Sequence, residues 1–336
     1  MVSDLHLGAR VQNSVLVQRE PRRRLLEALD GVDRLVLLGD VVELQERRAL
    51  AAMHTAEPVL RALGRAVGSS GAIVLVPGNH DLGLVRGWLR AHGTELGPDT
   101  AVPLDASPAL ERLTGWLAPA EVSVHYPGAW LSAGVWATHG HYLDRHLLPE
   151  SSFGIARGLL GRLPRDGATP RDYELAGGPS LTRIETFLTS VLPRPLAALV
   201  EDVAELARAS TMPAPRRLLH PRMARVTATL LGAQMRRASI PALARVVHRL
   251  GVRAEWVLFG HVHRLGPLSG DREGQWQGPA GQPRIANSGS WVYEPLLVHR
   301  ALPPHPYWPG GAILLEDGME PRAIGLLDDL PVAALH

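Results

Sequence analysis

Fifteen histidines are spread over the 336 residues, and several of them stand in short polar clusters directly after apolar runs. EWVLFGHVHRLG puts His261 and His263 one residue apart, just past the run from Trp256 to Phe259 and Gly260. Asp4 and His6 follow Val2 in VSDLHLG, and Asp40 follows RLVLL in GDVVE. Asn79, His80 and Asp81 follow AIVLV in PGNHD, and His139 and His141 close GVWATHGH. Imidazole, carboxylate and amide oxygen are donors for a divalent transition metal, and the first two also move protons. There is no cysteine, so disulfides and thiolate sites are excluded and such a metal must be held by His, Asp, Glu or Asn. Singly, each residue has an ordinary structural use: Asp4 could cap a helix, Asp40 turn the chain, and Asn79 cap the helix that follows. His261 and His263 would point the same way if their strand continued past Gly260.

These clusters need elements to hold them. In the first half, apolar strands alternate with amphipathic helices: Leu25, Leu26 and Leu29 mark a helix after Pro21, residues 34–38 a strand, Leu50 to Val67 a helix, and residues 72–76 the next strand. Alternation of this kind predicts a largely parallel sheet with crossover helices, and the carboxyl ends of its strands are where open α/β sheets bind ligands. VSVHYP (122–127) and GVWATHGH (134–141) read as strands of a second sheet, followed by strand-like RIANSGSWV (284–292), GAILLED (311–317) and PRAIGLL (321–327). Two sheets are expected to face each other. Asn287, Ser288 and Ser290 in ANSGSW read as turn residues.

Residues 150–239 differ in character. Leu181, Ile184, Phe187, Leu188 and Val191 share one helical face, Leu196, Leu199, Val200, Val203 and Leu206 another, and a third helix is expected from about Arg222 to Arg237. The expected organisation is a core of residues 1–149 and 240–330 interrupted by a helical insertion. Composition is that of a globular protein, 46% hydrophobic and 20% charged with net charge +2. Arg22, Arg23 and Arg24 could attract phosphate, but no aromatic residues interleave them, which argues against a nucleic-acid groove. MVSDLHLGA has neither a basic nor an apolar leader region, and no stretch approaches the roughly 20 apolar residues of a membrane span, so a cytoplasmic location is expected. Only three residues precede Asp4, short of the usual strand of about five or six, and the native start is expected upstream.

Taken in order, Asp4-x-His6, Gly39-Asp40, Gly78-Asn79-His80-Asp81, His139-Gly140-His141 and Gly260-His261-x-His263 resemble the signature of the calcineurin-like metallophosphoesterase superfamily. The blocks span residues 4–263. The resemblance implies a four-layer αββα sandwich, here with a helical cap, and a dinuclear centre whose cations lie about 3.5–4 Å apart and clamp the oxygens of an in-line phosphoryl displacement. It assigns Asp4, His6 and His263 to one ion, Asn79, His139 and His261 to the other, and makes Asp40 the bridge; His141 is the alternative to His139 or a phosphate contact. Manganese is the first choice for this donor mix, with iron or zinc as alternatives. A water activated to hydroxide by the two ions is the implied nucleophile. His80 is the implied general acid or charge stabiliser, oriented through a hydrogen bond that Asp81 would accept. Gly39, Gly78, Gly140 and Gly260 would allow the tight turns this needs. Tyr142 and Asp144 are candidate pocket residues.

The function expected is hydrolysis of a phosphomonoester or phosphodiester, on a small-molecule or lipid-linked substrate. SDLHLG, GDVVE and the helical insertion also resemble UDP-2,3-diacylglucosamine pyrophosphohydrolases, although those enzymes carry arginine where this chain has His80 and have a shorter insertion. The first alternative is therefore pyrophosphate cleavage in a nucleotide-linked lipid or sugar. The second is a metal-binding scaffold without activity, against which the retention of His80 with a full ligand set argues. A DNA-end nuclease is a third, disfavoured by the low net charge.

Overall fold

The runs AIVLV (72–76) and WVLF (256–259), apolar at every position, form central strands, because both of their faces are covered. The computed structural model describes residues 1–9, 14–45, 49–92, 96–146, 164–175, 239–298 and 301–335. After α1 (Arg19–Glu27) come β1 (Arg34–Leu38), α2 (Ala49–Val67) and β2 (Ala72–Val76). They are followed by α3 (Arg86–His92), β3 (Thr100–Ala101), α4 (Pro108–Trp116) and β4 (Glu121–Tyr126). β1 pairs parallel with β2, Arg34 opposite Ala72 through Leu38 opposite Val76, and β2 pairs parallel with β4. β3 closes that edge antiparallel to β4. At the other edge, Val2 pairs with Leu37 in parallel sense: Val2 N–H donates to Val36 O at 2.9 Å and Leu38 N–H to Val2 O at 2.8 Å.

VSVHYP, expected in a second sheet, is β4 of the first. Parallel neighbours need a crossover of a dozen or more residues, and α4, capped by Ser107 Oγ accepting from Leu110 N–H, supplies it between β2 and β4. The second sheet begins after Pro127 with β5 (Gly128–Ser132) and β6 (Val135–Thr138), the latter in the expected GVWATHGH. It continues through β7 (Trp256–Phe259), β8 (Leu265–Gly266) and β9 (Arg284–Ser288), in the spatial order β5-β6-β7-β9-β8 with β6, β7 and β9 parallel. β10 (Gly311–Leu314) and β11 (Arg322–Gly325) form an antiparallel ladder that meets Met1, whose amino group donates to Ile313 O at 2.8 Å.

Successive side chains of a strand point to opposite faces, and the buried residues divide accordingly. Val36, Leu38, Val74 and Val76 of the first sheet pack with Ala137, Leu258 and Ala286 of the second and with Ile313. Their neighbours Leu35, Leu37, Ile73 and Leu75 face Leu60 and Leu63 of α2 and Leu110 and Leu113 of α4. Val257, Phe259 and Ile285 face Ile240, Leu243, Val246 and Val247, from a helix over 239–249 at the margin of the expected insertion. The helices expected at Leu181–Val191, Leu196–Leu206 and 222–237 lie outside the described residues. Within that interval, α5 (Pro170–Leu175) buries Tyr173 in the same cluster as Val257. None of the described helices is long and apolar enough to cross a membrane.

Candidate metal centre

All five motifs lie just past the carboxyl ends of parallel-paired segments, Asp40 after β1, Asn79 after β2, His139 after β6 and His261 after β7, so the two sheets deliver them to one place. The backbone there is unusual. Among the described residues six non-glycine positions have positive φ, and five are Asp4 (53°), His6 (44°), Asp40 (52°), His261 (67°) and His263 (55°). Such conformations cost on the order of 1–3 kcal/mol each and persist only where surroundings over-determine them. Here the loops tie one another down. Asp4 and His6 N–H donate to Gly39 and Asp40 O at 3.0 and 2.8 Å. The His261 N–H donates to Asp4 Oδ2 at 2.9 Å and the His80 N–H to Asp40 Oδ1 at 2.8 Å. Gly39, at φ 81°, and Gly260 leave no room for a side chain: a Cβ would strike the His139 ring at the first and Ser3 and Asp4 at the second.

ANSGSW does more than turn. Asn287 Nδ2 donates to Gly260 O at 2.6 Å, Ser288 Oγ to Phe259 O at 3.2 Å, and Ser3 and Ser288 hydroxyls meet at 2.7 Å, so this segment braces the loop that carries His261. β7 ends at Phe259, and the left-handed turns that follow send the two histidines to different clusters, instead of aligning them as a continuing strand would.

Asp4, His6 and His263 form one cluster and Asp40, His139 and His261 another, the donor atoms within each lying no more than 4.8 Å apart. His263 Nε2 is 3.3 Å from Asp4 Oδ1. Asp40 Oδ2 stands between the clusters, 3.7 Å from His6 Nε2 and 3.2 Å from His139 Nε2. Asn79 Oδ1 reaches His139 Nε2 at 3.2 Å. His6 Nε2 is buried without a hydrogen-bond partner, an expense of about 1–3 kcal/mol that a cation beside it would remove. Oxygen and imidazole donors converging on that atom fit a divalent metal. His141 joins neither cluster; its ring centroid is 5.7 Å from that of His139.

Electrostatics favour positive charge here. Burial opposes ionisation of Asp4, but His263 outweighs it and holds the carboxyl below its usual range. Asp40, similarly opposed by burial, is held well below by His139, His6 and His80. Burial likewise disfavours a charged His139, yet Asp40 and Asp4 raise it to about 10.

The sequence reading missed the carboxylates behind the histidines. His6 Nδ1 meets Glu43 Oε2 at 3.3 Å, His263 Nδ1 meets Glu294 Oε1 at 2.6 Å, and His261 Nε2 meets Asp144 Oδ1 at 2.8 Å; His139 Nδ1 meets Leu38 O at 3.0 Å. Outer partners of this kind fix the ring orientation of metal-binding histidines. Glu43 closes GDVVE three residues after Asp40, a signal that could have identified it, and Asp144 lies three residues after His141. Asp81 does not orient His80. Its oxygens accept from Val41 N–H at 2.8 Å and Gly78 N–H at 2.6 Å, and burial together with the charge of Asp40 pushes its pKa up to about 6. His80 Nδ1 instead lies 2.5 Å from Glu43 Oε2. Burial works against a charged His80, but Glu43 and Asp40 prevail and raise its pKa. Glu43, buried between His6 and His80, falls to about 2 as those rings overcome its desolvation. Of the arginine run, Arg23 pairs with Glu20 and Glu27, and Arg24 with Glu20 and Asp329, the behaviour of a solvated helix face.

No curated protein matches the chain. The family model for calcineurin-like phosphoesterases matches residues 1–173, which carry Asp4, His6, Asp40, Asn79, His80 and His139. With a little over half of its length matched, the chain belongs to the calcineurin-like phosphoesterase family, hydrolases that act on phosphoric esters with divalent metal ions.

Proposed function

We propose that the protein hydrolyses a phosphomonoester or phosphodiester at a dinuclear centre, on a four-layer αββα core. Asp4, His6 and His263 would hold one ion, Asn79, His139 and His261 the other, and Asp40 both. The observation that carries this reading is Asp40 Oδ2, within 3.7 Å of one cluster and 3.2 Å of the other, beside a buried His6 Nε2 with no partner. When bound, the ions supply Lewis acidity towards the phosphoryl oxygens and activate a water; manganese is the first choice for the donor set.

The chain's own groups do the rest. His80, about a quarter exposed where the other rings are more covered, is oriented by Glu43, whose carboxylate favours its protonated form, the form that can give a proton to the departing oxygen. Asp81 acts on the turn: by accepting from Val41 and Gly78 it fixes the loops that present Asp40 and Asn79.

The test is hydrolysis of bis(p-nitrophenyl) phosphate and p-nitrophenyl phosphate by the purified protein, stripped of metal and with added Mn²⁺, beside His80→Ala. Manganese-dependent turnover that falls in the variant is expected, and the preferred ester separates diesterase from monoesterase. Two bound equivalents of metal with no turnover of either ester would move the reading to a more selective substrate, such as a lipid-linked pyrophosphate, or to a scaffold.

A further inference from the structure

Glu174 of α5 is a carboxylate held by two phenol donors that belong to other elements. Tyr126 O–H and Tyr142 O–H both donate to Glu174 Oε1, the second at 2.9 Å, and His141 Nε2 lies 3.8 Å from the same oxygen. Tyr126 ends β4 in the first sheet, whereas His141 and Tyr142 follow β6 in the second. The two phenols are buried, their oxygens 3.3 Å apart, and the Tyr142 ring stacks on Tyr173 with centroids 4.6 Å apart. Burial and the neighbouring carboxylate raise both phenol pKa values well above the usual value, which keeps them donors. His141 Nδ1 is buried with no partner. Two phenol donors converge on one carboxylate oxygen with the His141 imidazole next to it, its Nε2 3.4 Å from the Tyr126 hydroxyl, and the group sits beside the metal centre: the His141 ring is 5.7 Å from that of His139 and 6.5 Å from that of His261.

We propose that Tyr126, His141 and Tyr142 form an anion subsite, filled by Glu174 in the free protein, that takes a second anionic group of the substrate, a phosphate or carboxylate, while the reacting phosphoryl group sits at the metal centre. The proposal rests on the phosphoesterase reading for its substrate, but its binding chemistry is independent of turnover. Hydroxyl and imidazole donors reward a ligand that only accepts, and a neutral substituent would leave the displaced Glu174 charge uncompensated. No covalent step is involved: one carboxylate is exchanged for another anion.

Calorimetry on the full chain with excess Mn²⁺ tests it, using deoxythymidine 5′-monophosphate and deoxythymidine 3′,5′-bisphosphate, which differ by one phosphate. The bisphosphate should bind about tenfold more tightly, as expected for charge-assisted hydrogen bonds. Glu174→Gln, which weakens the internal competitor, should widen that ratio by about threefold or more. Tyr126→Phe with Tyr142→Phe should bring it close to unity, as should Tyr142→Phe alone in part, with folding checked by thermal melting. A ratio unchanged within about twofold in every variant, or no binding of the bisphosphate by the wild type, overturns the subsite. Manganese-dependent hydrolysis of bis(p-nitrophenyl) phosphate with an unresponsive ratio would sink the subsite alone. A responsive ratio without hydrolysis of either p-nitrophenyl ester would sink the reading as a general phosphomonoesterase or phosphodiesterase and leave the subsite standing.

Discussion

The two halves of the proposed metal centre are built from similar donors but backed differently. His6 and His263 each lean on a carboxylate, Glu43 and Glu294. In the other half His139 leans on the neutral Leu38 carbonyl, and His261 on Asp144, whose side chain is 41% exposed. A carboxylate behind an imidazole raises its basicity and steadies its orientation, and water screens an exposed one. If the two halves bind as proposed, the Asp4–His6–His263 half should be the tighter cation site, and the half with Asn79, His139 and His261 should fill last and empty first.

Substitutions at the centre probe that asymmetry. Asp40→Ala breaks both halves at once: binding of the second equivalent of Mn²⁺ should vanish and turnover should drop by about a thousandfold, the scale of losing a principal electrostatic stabiliser. Retention of two equivalents by elemental analysis would refute the bridge. His80→Ala should lower kcat by about 10²–10⁴-fold while leaving metal content nearly intact, because the proposed ligand sets do not include that ring; a large loss of metal would instead bring the His6, Glu43 and His80 group into the site. Glu294→Gln should weaken the tighter site by about 10–100-fold, read as convergence of the two steps in a Mn²⁺ titration. Asp144→Asn should weaken the looser site by less than Glu294→Gln weakens its own, and the opposite ranking would invert the comparison. The gentlest probe is a chelator titration of the loaded protein, in which the first equivalent should leave with most of the activity and the second only at higher chelator concentration.

Much of this arrangement was legible in the sequence. Strands β1, β2 and β7 could be read because nearly continuous apolar runs leave little other use for those residues, β6 and β9 from shorter apolar stretches bounded by turn residues, and the residues of the candidate centre because most of them stand just after such a stretch. What could not be read depends on partners distant in the chain. Glu294 is 31 residues from His263, and nothing in local periodicity names its contact. The membership of β4 depended on α4, a helix of only nine residues whose spacing gave no strong signal. Asp81 follows His80 directly, yet adjacency in sequence says little about contact once a turn divides the two side chains; Glu43, 37 residues before His80, is the one that reaches it.

The loops at the strand ends are stitched to one another through groups that would face the cations: Asp4 accepts the His261 amide, and Asp40 accepts the His80 amide. Their entropy is therefore spent when the chain folds and not when an ion arrives. At the proposed centre, loading would then be a matter of shedding hydration water at a ready-made basin, and exchange of one divalent ion for another should proceed without unfolding. The ion that such a basin carries is then governed by supply in the surroundings as much as by the donors themselves.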